Sequence, residues 1–470
     1  RATNDEQPAP LSLANLQVTQ LTSTGTAARP ALSPDAKYIA YVQAGSDANA
    51  GVWLRQTGTT NSVKILGADA KVLTLAATVG PDSTFVDVLR TDGLWRVPFL
   101  GGTPKQILDR VALPIGWSPD GQHMAFIRSS VGSTPAQMLV ANRDGGDERV
   151  VATRNFPASF VTLNLAGATA VPPAWSPDGQ RIAAIQRLGE DIRDMGITVV
   201  DAATGQSQDV KVRGDVVQGL GWLDNRSLVI AQALEQGTAS QLWRISFPDG
   251  ERTRITNDVN RYSELRVSAD GDTIVTARPE SRVSIWVGDT KGAGREILSA
   301  APFLSSAPTY ATVPWDGQNV LFTHTLKGRF EIFRMHADGN GTPEPIVAGR
   351  DMAAAPDGAI VYRTIAGDQT GLWKVDRDGR HPIQLSTASV NYPLVTRDGQ
   401  HVVFSSPVGN QQLLLREPMA GGTATPVSDQ PVGVLGFSDV SPDGRSIAIF
   451  FSPQWVLCDF PACQDRKPIT

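Results

Sequence analysis

The sequence predicts an all-β fold, a β-propeller built from about ten four-stranded blade repeats in two rings or one large ring. Three observations predict it. A tight-turn motif occurs ten times along the 470 residues. Successive copies are roughly 40–50 residues apart, which is the period of propeller blades rather than of helical solenoids. A short apolar strand follows each turn, and in many copies a strand with an aromatic residue comes next.

The clearest copy of the turn motif lies between Trp175 and Ile185. Pro177 sets φ at the first central position, Asp178 tolerates the second, and Gly179 supplies the positive φ that follows. Aligned on the turn aspartate, the ten copies are Ser33–Asp35, Gly80–Asp82, Ser118–Gly121, Ser176–Gly179, Leu223–Asn225, Ser268–Gly271, Trp315–Gly317, Pro356–Gly358, Arg397–Gly399 and Ser441–Gly444.

The third and fourth strands of a repeat have patterns of their own. The fourth ends in Ile or Leu followed by Thr or Ser, as in Arg254–Thr256 and Gln384–Ser386. Four antiparallel strands per period make one blade, and alternating apolar and polar residues fit sheets packed face to face. The aromatic third strands are Val52–Leu54, Leu94–Val97, Leu242–Ile245, Ile285–Val287 and Leu372–Val375.

The predicted domain organisation is simple. We expect residues 1–16 to form a linker and residues 17–470 the blade array. The chain begins with Arg1 and a polar lead, which we interpret as a processed or excised piece. The longest interval between turns, 155–173, is a candidate ring boundary or functional loop.

The two ends of the chain predict one strand too many. Leu16–Thr22 is expected to be a fourth strand placed before the first hairpin, and Lys467–Thr470 is the fourth strand of the last repeat. The sequence thus predicts eleven fourth strands for ten hairpins. The surplus strand would pair with another molecule, or the array would continue in a longer parent protein.

Composition excludes several function classes. A net charge of −5 gives no basic face, so nucleic acid is not an expected partner. No apolar run approaches the length of a membrane span. There is no nucleophile elbow and no phosphate-binding glycine loop, so we expect no catalytic residues, no metal and no cofactor, and predict that the chain is not an enzyme. The five histidines, which show no ligand spacing, are His123, His324, His336, His381 and His401.

Recurring side chains around the turns have structural explanations. Carboxylates at one blade position could bind cations around a ring, but turn chemistry already accounts for aspartates such as Asp120 and Asp178. Trp117, Trp175 and Trp222 precede their turns by two or three positions and are expected to pack between neighbouring blades. An aromatic sugar-binding platform is the alternative for some tryptophans.

Two further groups are site candidates. Phe156, Phe160 and Leu163 lie among polar residues in the long interval, where exposed apolar side chains can mark a partner-binding surface. The alternative is a loop folded back over the rim. Cys458 and Cys463 form either a local disulfide, which would imply an oxidising compartment, or two free thiols.

The Ser-Pro-Asp-Gly hairpin, the aromatic third strand and the closing Ile-Thr or Leu-Ser pair resemble the TolB-like, WD-repeat-like propeller family of bacteria, from about Gln17 onward. Pro98–Lys105 and Arg254–Asp258 are similar to a subgroup of large bacterial proteins. In that subgroup the propeller follows a cytoplasmic kinase or winged-helix DNA-binding domain and a single membrane span. The resemblance implies a periplasmic or extracellular location.

Three functions fit these features. The first is a non-catalytic sensor or scaffold domain of a larger bacterial protein that binds a protein or cell-envelope ligand. The second is a structural subunit that self-associates through exchange of terminal strands. The third is a propeller that gates a hydrolase domain, as similar propellers do in prolyl-oligopeptidase-type peptidases.

Overall fold

The computed structural model divides the chain into two compact units. Unit 1 comprises residues 1–129, 134–234 and 239–279, and unit 2 comprises 130–133, 235–238 and 280–470. The structure describes residues 17–45, 48–130, 133–155, 158–161, 171–188, 195–212, 216–234, 239–279, 284–288, 291, 294–299, 311–312, 318–326, 329–364, 370–388, 390–408, 411–428, 430–432, 438–441, 443–451 and 454–469.

The described strands of unit 1 form six antiparallel sheets, numbered one to six in chain order. Their strands are β1 (Ala27–Leu32), β2 (Tyr38–Gln43), β3 (Gly51–Gln56) and β4 (Ser62–Gly67); β5 (Thr74–Val79), β6 (Phe85–Arg90), β7 (Gly93–Pro98) and β8 (Lys105–Leu108); β9 (Gly116–Trp117), β10 (His123–Ser130), β11 (Ser133–Asn142) and β12 (Arg149–Arg154); β13 (Ser159–Phe160), β14 (Ala174–Trp175), β15 (Arg181–Arg187), β16 (Met195–Asp201) and β17 (Ser207–Lys211); β18 (Val217–Asp224), β19 (Ser227–Gln232), β20 (Gln241–Ser246) and β21 (Arg252–Arg254); and β22 (Ser263–Val267) and β23 (Ile274–Ala277).

The described strands of unit 2 form sheets seven to eleven. Their strands are β24 (Ser284–Gly288) and β25 (Gly294–Ser299); β26 (Ala311–Thr312), β27 (Asn319–Leu326), β28 (Arg329–His336) and β29 (Glu344–Ala348); β30 (Arg350–Ala354), β31 (Ile360–Thr364), β32 (Gly371–Val375) and β33 (Ile383–Ser386); β34 (Asn391–Val395), β35 (His401–Val408), β36 (Gln411–Pro418) and β37 (Thr425–Pro426); and β38 (Ser438–Val440), β39 (Ser446–Phe451), β40 (Gln454–Asp459) and β41 (Arg466–Pro468).

These sheets confirm the predicted all-β propeller fold. In the four-stranded sheets, the strands lie in chain order, as in propeller blades. Nine of the ten predicted repeats form their own sheet of four or five strands. The sixth repeat, in the described residues, gives the two-stranded sheets β22–β23 and β24–β25.

The predicted turn chemistry is present in full at the hairpin between β14 and β15. Gly179 has a φ of 70° and its N–H donates to the carbonyl of Ser176. The Ser176 hydroxyl donates to Asp178 Oδ1 at 2.5 Å, and the N–H of Arg181 donates to Ser176 Oγ at 2.9 Å. The side chains of the serine and the aspartate therefore stabilise the turn through hydrogen bonds within it, which explains why these residue types recur.

Consecutive sheets pack through their turns as well as through their faces, and we call the interface between two consecutive sheets a seam. A Cβ on Gly121 would lie 2.8 Å from Pro81, the proline of the preceding turn, so only glycine fits there. The same stacking places Gly179 on Pro119 in unit 1. Each such seam therefore includes a contact between two turns.

Unit 1 closes on itself. Apolar clusters join sheets one to two, two to three, and so on to five and six. A further cluster then joins Val275 of sheet six to Leu32, Ile39 and Tyr41 of sheet one. The N–H of Ala269 donates to the carbonyl of Pro34 across the same seam. The six sheets therefore pack in cyclic order.

An ion pair reinforces this closing seam. Arg29 Nη1 lies 2.6 Å from Glu264 Oε1, and the backbone N–H of Arg29 donates to Glu264 Oε2 at 2.8 Å. The Arg29 side chain is 24% exposed and that of Glu264 is 9% exposed. A two-point contact of this kind is stronger than an ordinary surface pair.

The apolar clusters of unit 2 join its sheets in sequence. One cluster joins sheets seven and eight, the next joins eight and nine, and two more continue to ten and eleven. On the last sheet, Trp455, Leu457 and Ile469 are 40%, 39% and 46% exposed.

Two expectations about organisation differ from what the structure describes. The division between units falls near residue 280, and the described residues on both sides of 155–173 belong to unit 1. Residues 17–22 form no strand; Leu21 instead packs beside sheet one, where its carbonyl accepts a bond from Arg55. The described part of the chain thus contains no surplus fourth strand at its beginning.

The long interval interrupts a strand. Ser159–Phe160 and Ala174–Trp175 both pair with β15, at Gln186–Arg187 and Ile182–Ala183 respectively. The innermost strand of sheet four is therefore built from two pieces, β13 and β14. The interval is an insertion within a blade and not a boundary between rings.

Candidate functional site

The tryptophans before the turns connect neighbouring sheets, as the sequence predicts. Trp175 Nε1 donates to the carbonyl of Gly116 in sheet three at 3.0 Å, and Trp222 Nε1 donates to that of Ala174 in sheet four at 3.0 Å. Trp117 Nε1 instead donates to a carboxylate, Asp87 Oδ2, at 3.2 Å. These bonds fix the indole rings at the seams.

A cleft of about 550 Å³ opens at the seam between sheets three and four. It lies between two consecutive turns, beside the turn that follows β16. We call it the three–four cleft. Its lining residues are Ser118, Pro119, Asp120, His123, Arg149, Trp175, Pro177, Asp178, Gly179, Gln180, Asp201, Ala202 and Ala203.

The carboxylates of the cleft favour their ionised forms. The Ser118 hydroxyl, followed by a backbone N–H, lowers the pKa of Asp120. The backbone N–H and hydroxyl of Thr204 lower the pKa of Asp201. Burial acts to raise the pKa of Asp178, but bonds from Ser176 and Gln180 outweigh it and the pKa is lowered. The cleft is therefore acidic at neutral pH.

One arginine lies at the edge of this cleft. Arg149 Nη2 donates to the carbonyl of Ala202 at 2.7 Å. Three carboxylates and one guanidinium leave a formal charge of −2 among the lining residues, with histidine counted as neutral. An aromatic ring beside ionised carboxylates is an arrangement that recognises cations.

The preceding seam buries a carboxylate that the sequence analysis did not identify. Asp87 is 1% exposed, and its oxygens lie 2.8 and 3.3 Å from Nε and Nη2 of Arg96. Burial raises the pKa of Asp87 to about 6, against the opposing effects of Arg96 and Trp117. A signal was available: the corresponding strand positions in the adjacent repeats are Ala40 and Ala125.

Unit 2 buries a carboxylate with fewer partners. Glu417 on β36 is 1% exposed, and burial raises its pKa although a hydrogen bond to Ser386 opposes this. Glu417 Oε2 has no hydrogen-bond partner among the described residues. Ser386 ends β33, so this pair lies at the seam between sheets nine and ten.

Of the three predicted partner-binding residues, the structure describes only Phe160, and that residue is buried. Phe160 is 1% exposed and belongs to the apolar cluster between sheets three and four, because it continues the innermost strand of its sheet. It is therefore not available to a partner. Phe156 and Leu163 lie outside the described residues.

Cys458 lies in β40, and Cys463 lies in the turn between β40 and β41. Their sulfur atoms are 2.10 Å apart, as a disulfide. Both residues are buried, Cys458 at 2% and Cys463 at 1% exposed, in the cluster between sheets ten and eleven.

The histidines are distributed among separate turns and strands. His336 Nδ1 lies 2.7 Å from Asp338, and His381 Nδ1 lies 2.9 Å from Asp376, within two different turns. In the part of the chain that the structure describes, no three His, Cys, Asp or Glu side chains converge closely enough to hold a metal ion. The same part contains no helix suited by length and hydropathy to cross a membrane.

Comparison with known proteins gives one relative by sequence. Over 160 residues the chain is 29% identical to the uncharacterized peptidase YuxL of Bacillus subtilis (strain 168). This stretch is 34% of the present chain and 20% of the length of YuxL, so the chain spans about one fifth of that relative. No family model matches the chain.

Solved structures that match are propeller proteins of low sequence identity. A TolB of Agrobacterium tumefaciens is 16% identical, with 59% of this chain and 81% of that chain covered and a TM-score of 0.33. TolB of Acinetobacter baumannii is 12% identical, with 72% and 77% covered and a TM-score of 0.32. The tricorn protease is 13% identical, with 95% and 44% covered and a TM-score of 0.38. The TolB-like likeness concerns the fold alone.

The peptidase match contradicts the prediction that the chain is not an enzyme, because the relative found by sequence is named as a peptidase. That prediction rested on missing local motifs and on histidine spacing. Catalytic groups are brought together by the fold and not by sequence proximity, so motif searches along a chain do not exclude them.

Proposed function

We propose that this chain is the propeller part of a peptidase-type protein and that it admits peptide substrates to a hydrolase domain. The observation that carries the proposal is the 29% identity to the peptidase YuxL over 160 residues. Peptides are the substrate class because the relative is named as a peptidase, and we propose that they bind in unstructured form.

The geometry of unit 1 supports this function. Its turns repeat on one side of six sheets packed in cyclic order, and the three–four cleft opens between two of them. A cleft with rigid proline and indole walls and ionised carboxylates can hold one or two side chains of an extended peptide. A folded protein does not offer side chains in that extended form.

The test measures peptide binding and cleavage by the purified protein. Fluorescein-labelled unstructured peptides of about ten residues are titrated and followed by anisotropy, and internally quenched peptides of the same sequences report cleavage. We expect saturable binding of unstructured peptides and little binding of a stably folded small domain. If no unstructured peptide binds or is cleaved, the proposal is wrong.

We also propose that the protein is located in an oxidising, extracytoplasmic compartment. The Cys458–Cys463 pair supports this, since disulfides persist mainly outside the reducing cytosol. Thiol alkylation followed by mass spectrometry of the protein from its native cells should detect no free cysteine without reductant. Full alkylation of both residues in unreduced material would contradict the location.

A further inference from the structure

Three consecutive seams of unit 1, from sheet two to sheet five, bring together the same three positions. They are the turn aspartate of one sheet, the first residue of the strand after that turn, and the turn between the third and fourth strands of the next sheet. At the seam between sheets two and three these are Asp82, Phe85 and Arg143. Arg143 forms an ion pair with Asp82, and its guanidinium lies 5.2 Å from the centre of the Phe85 ring and 6.0 Å from that of Trp117. The chain's own arginine therefore fills this seam.

The seam between sheets four and five is also filled by the chain itself. Phe247 packs edge-on against Trp222 at 5.6 Å between ring centres. The guanidinium of Arg181 lies 5.5 Å from the Phe247 ring, and Arg181 Nη1 is 3.8 Å from Asp178 Oδ2. At this seam too, a guanidinium lies close both to an aromatic ring and to a turn aspartate.

The seam between sheets three and four has the same frame, but no arginine stands at the position of Arg143; the guanidinium of Arg149, which also lines the cleft, is bonded to the carbonyl of Ala202. Asp120 and His123 stand where Asp82 and Phe85 stand, and Trp175 stands where Trp117 does. The position of Arg143 is taken by Ala202.

Hydrogen bonding within the two turns supports this alignment. Asn142 Oδ1 accepts from the N–H of Asp144 at 3.0 Å, as Asp201 Oδ1 accepts from that of Ala203 at 3.1 Å. Ala202 therefore matches Arg143, the residue after the accepting side chain. The three–four cleft therefore lies at the position that Arg143 fills one seam earlier.

We propose that the three–four cleft binds the arginine side chain of a peptide, in the place that Arg143 occupies at the preceding seam. As a statement about peptide substrates, this rests on the proposed function. Asp120 and Asp201 use Oδ1 to hold their own turns. Their Oδ2 atoms, which accept no hydrogen bond from any described residue, are the acceptors available to the guanidinium.

Arginine suits this cleft better than lysine. The Trp175 ring is fixed by its bond to Gly116, and a planar guanidinium can stack on such a ring while it donates to carboxylates at the edge. A lysine ammonium is a point charge and is more strongly hydrated, so it gains less from the indole. The chain shows the same preference, since both flanking seams are filled by arginine.

The experiment compares two peptides that differ only in charge. One carries a single central arginine, and the other carries citrulline, its neutral isostere, at the same position. We expect the arginine peptide to bind the wild-type protein about tenfold more tightly by isothermal titration calorimetry. Asp120→Asn should reduce this ratio to near one. Asp270→Asn is the matched control and should preserve it, because Asp270 makes the same bond to a turn serine, Ser268, outside the cleft.

A second variant places an arginine of the protein itself in the cleft. Ala202→Arg copies the sequence of the preceding seam and should abolish the preference for the arginine peptide. Ala203→Arg replaces it if the first variant fails to fold, since Ala203 is exposed. An arginine preference that survives in the folded filling variant would place the site elsewhere and overturn the inference.

The outcomes separate the inference from the proposed function. Equal binding of both peptides to the wild-type protein overturns the inference and leaves the proposed function standing. If neither peptide binds, the proposed function fails, and acetyl-arginine amide then decides the inference. A shift of the Trp175 indole N–H signal in NMR titration, lost in Asp120→Asn, would support it; no shift would overturn it.

Discussion

Two seams of the molecule each bury a carboxylate, and they treat it differently. Asp87, at the seam between sheets two and three, receives bonds from Arg96 and Trp117. Glu417, at the seam between sheets nine and ten, shares one hydrogen bond with Ser386 and keeps one oxygen unpartnered among the described residues. Both side chains are almost fully buried.

The difference shows what makes a buried charge tolerable at a seam. Removing a carboxylate from water costs several kcal/mol, and a bidentate arginine with a further donor offsets a large part of that cost, although the pKa of Asp87 stays raised at about 6. Glu417 has no such compensation among the described residues and must either protonate or destabilise its seam. We therefore expect the first seam to depend on its partners and the second to improve when its charge is removed.

The largest effect is expected from Arg96→Met, which leaves Asp87 buried without its cation. The free energy of unfolding should fall by about 3–5 kcal/mol at pH 7, measured by urea denaturation. The matched control is Asp87→Leu combined with Arg96→Met, which removes both charges and should cost much less. If the single and double variants are equally destabilised, the pair does not act as described.

The titration of Asp87 should be visible in the pH dependence of the free energy of unfolding. Its pKa is near 6 in the folded protein and 3.8 in an unfolded chain, so the folded state binds a proton that the unfolded state has released between these values. The contribution of this group is therefore complete below pH 4 and is lost as pH rises to about 6, on the order of 3 kcal/mol. Asp87→Asn should remove this part of the slope in denaturation curves collected from pH 4 to 7.

A smaller loss is expected from Trp117→Phe, which removes one donor to Asp87. Stability should fall by roughly 1–2 kcal/mol at pH 7. Trp175→Phe removes an indole bond to a backbone carbonyl at the next seam and serves as the comparison. Losing Trp117 should also raise the pKa of Asp87 further, so its pH-dependent loss should extend to higher pH, whereas Trp175→Phe should leave that profile unchanged.

The smallest expected effect is an increase in stability. Glu417→Gln should raise the free energy of unfolding by about 1 kcal/mol at pH 7, because a neutral amide replaces a buried carboxylate. The raised pKa of Glu417 means that the wild-type penalty is absent at low pH and develops as pH rises. The two proteins should therefore be equally stable near pH 4. A loss of stability at pH 7 would show that Glu417 is stabilised by its seam.

The repeat and its turns were predictable because their causes are local. Serine, aspartate and glycine of the motif act on one another within a few residues, as at Ser176, Asp178 and Gly179. The split innermost strand of sheet four was not predictable, because Ser159 and Trp175 are joined only through their common partner β15. For the same reason the sequence placed Phe160 in a loop, either exposed to a partner or folded back over the rim, and not in a strand.

The three–four cleft also escaped prediction from single motifs. It exists because Ala202 stands where another repeat has Arg143, so its signal is a difference between repeats. The turn after β16 reaches its glycine one residue later than the turn after β11, which hides this correspondence in a simple alignment of glycines. Only the shared bonding of Asn142 and Asp201 restores it.

The stacking of each turn glycine on the proline of the turn before it has a consequence for how such a chain can change. Gly121 meets Pro81, Gly179 meets Pro119, and Gly399 meets Pro356 in unit 2. The third repeat carries both halves of this contact, Gly121 for its predecessor and Pro119 for its successor. A duplicate of that repeat would therefore arrive with compatible joints on both sides. Chains built this way can lengthen by whole repeats, whereas partial repeats would leave a joint unmatched.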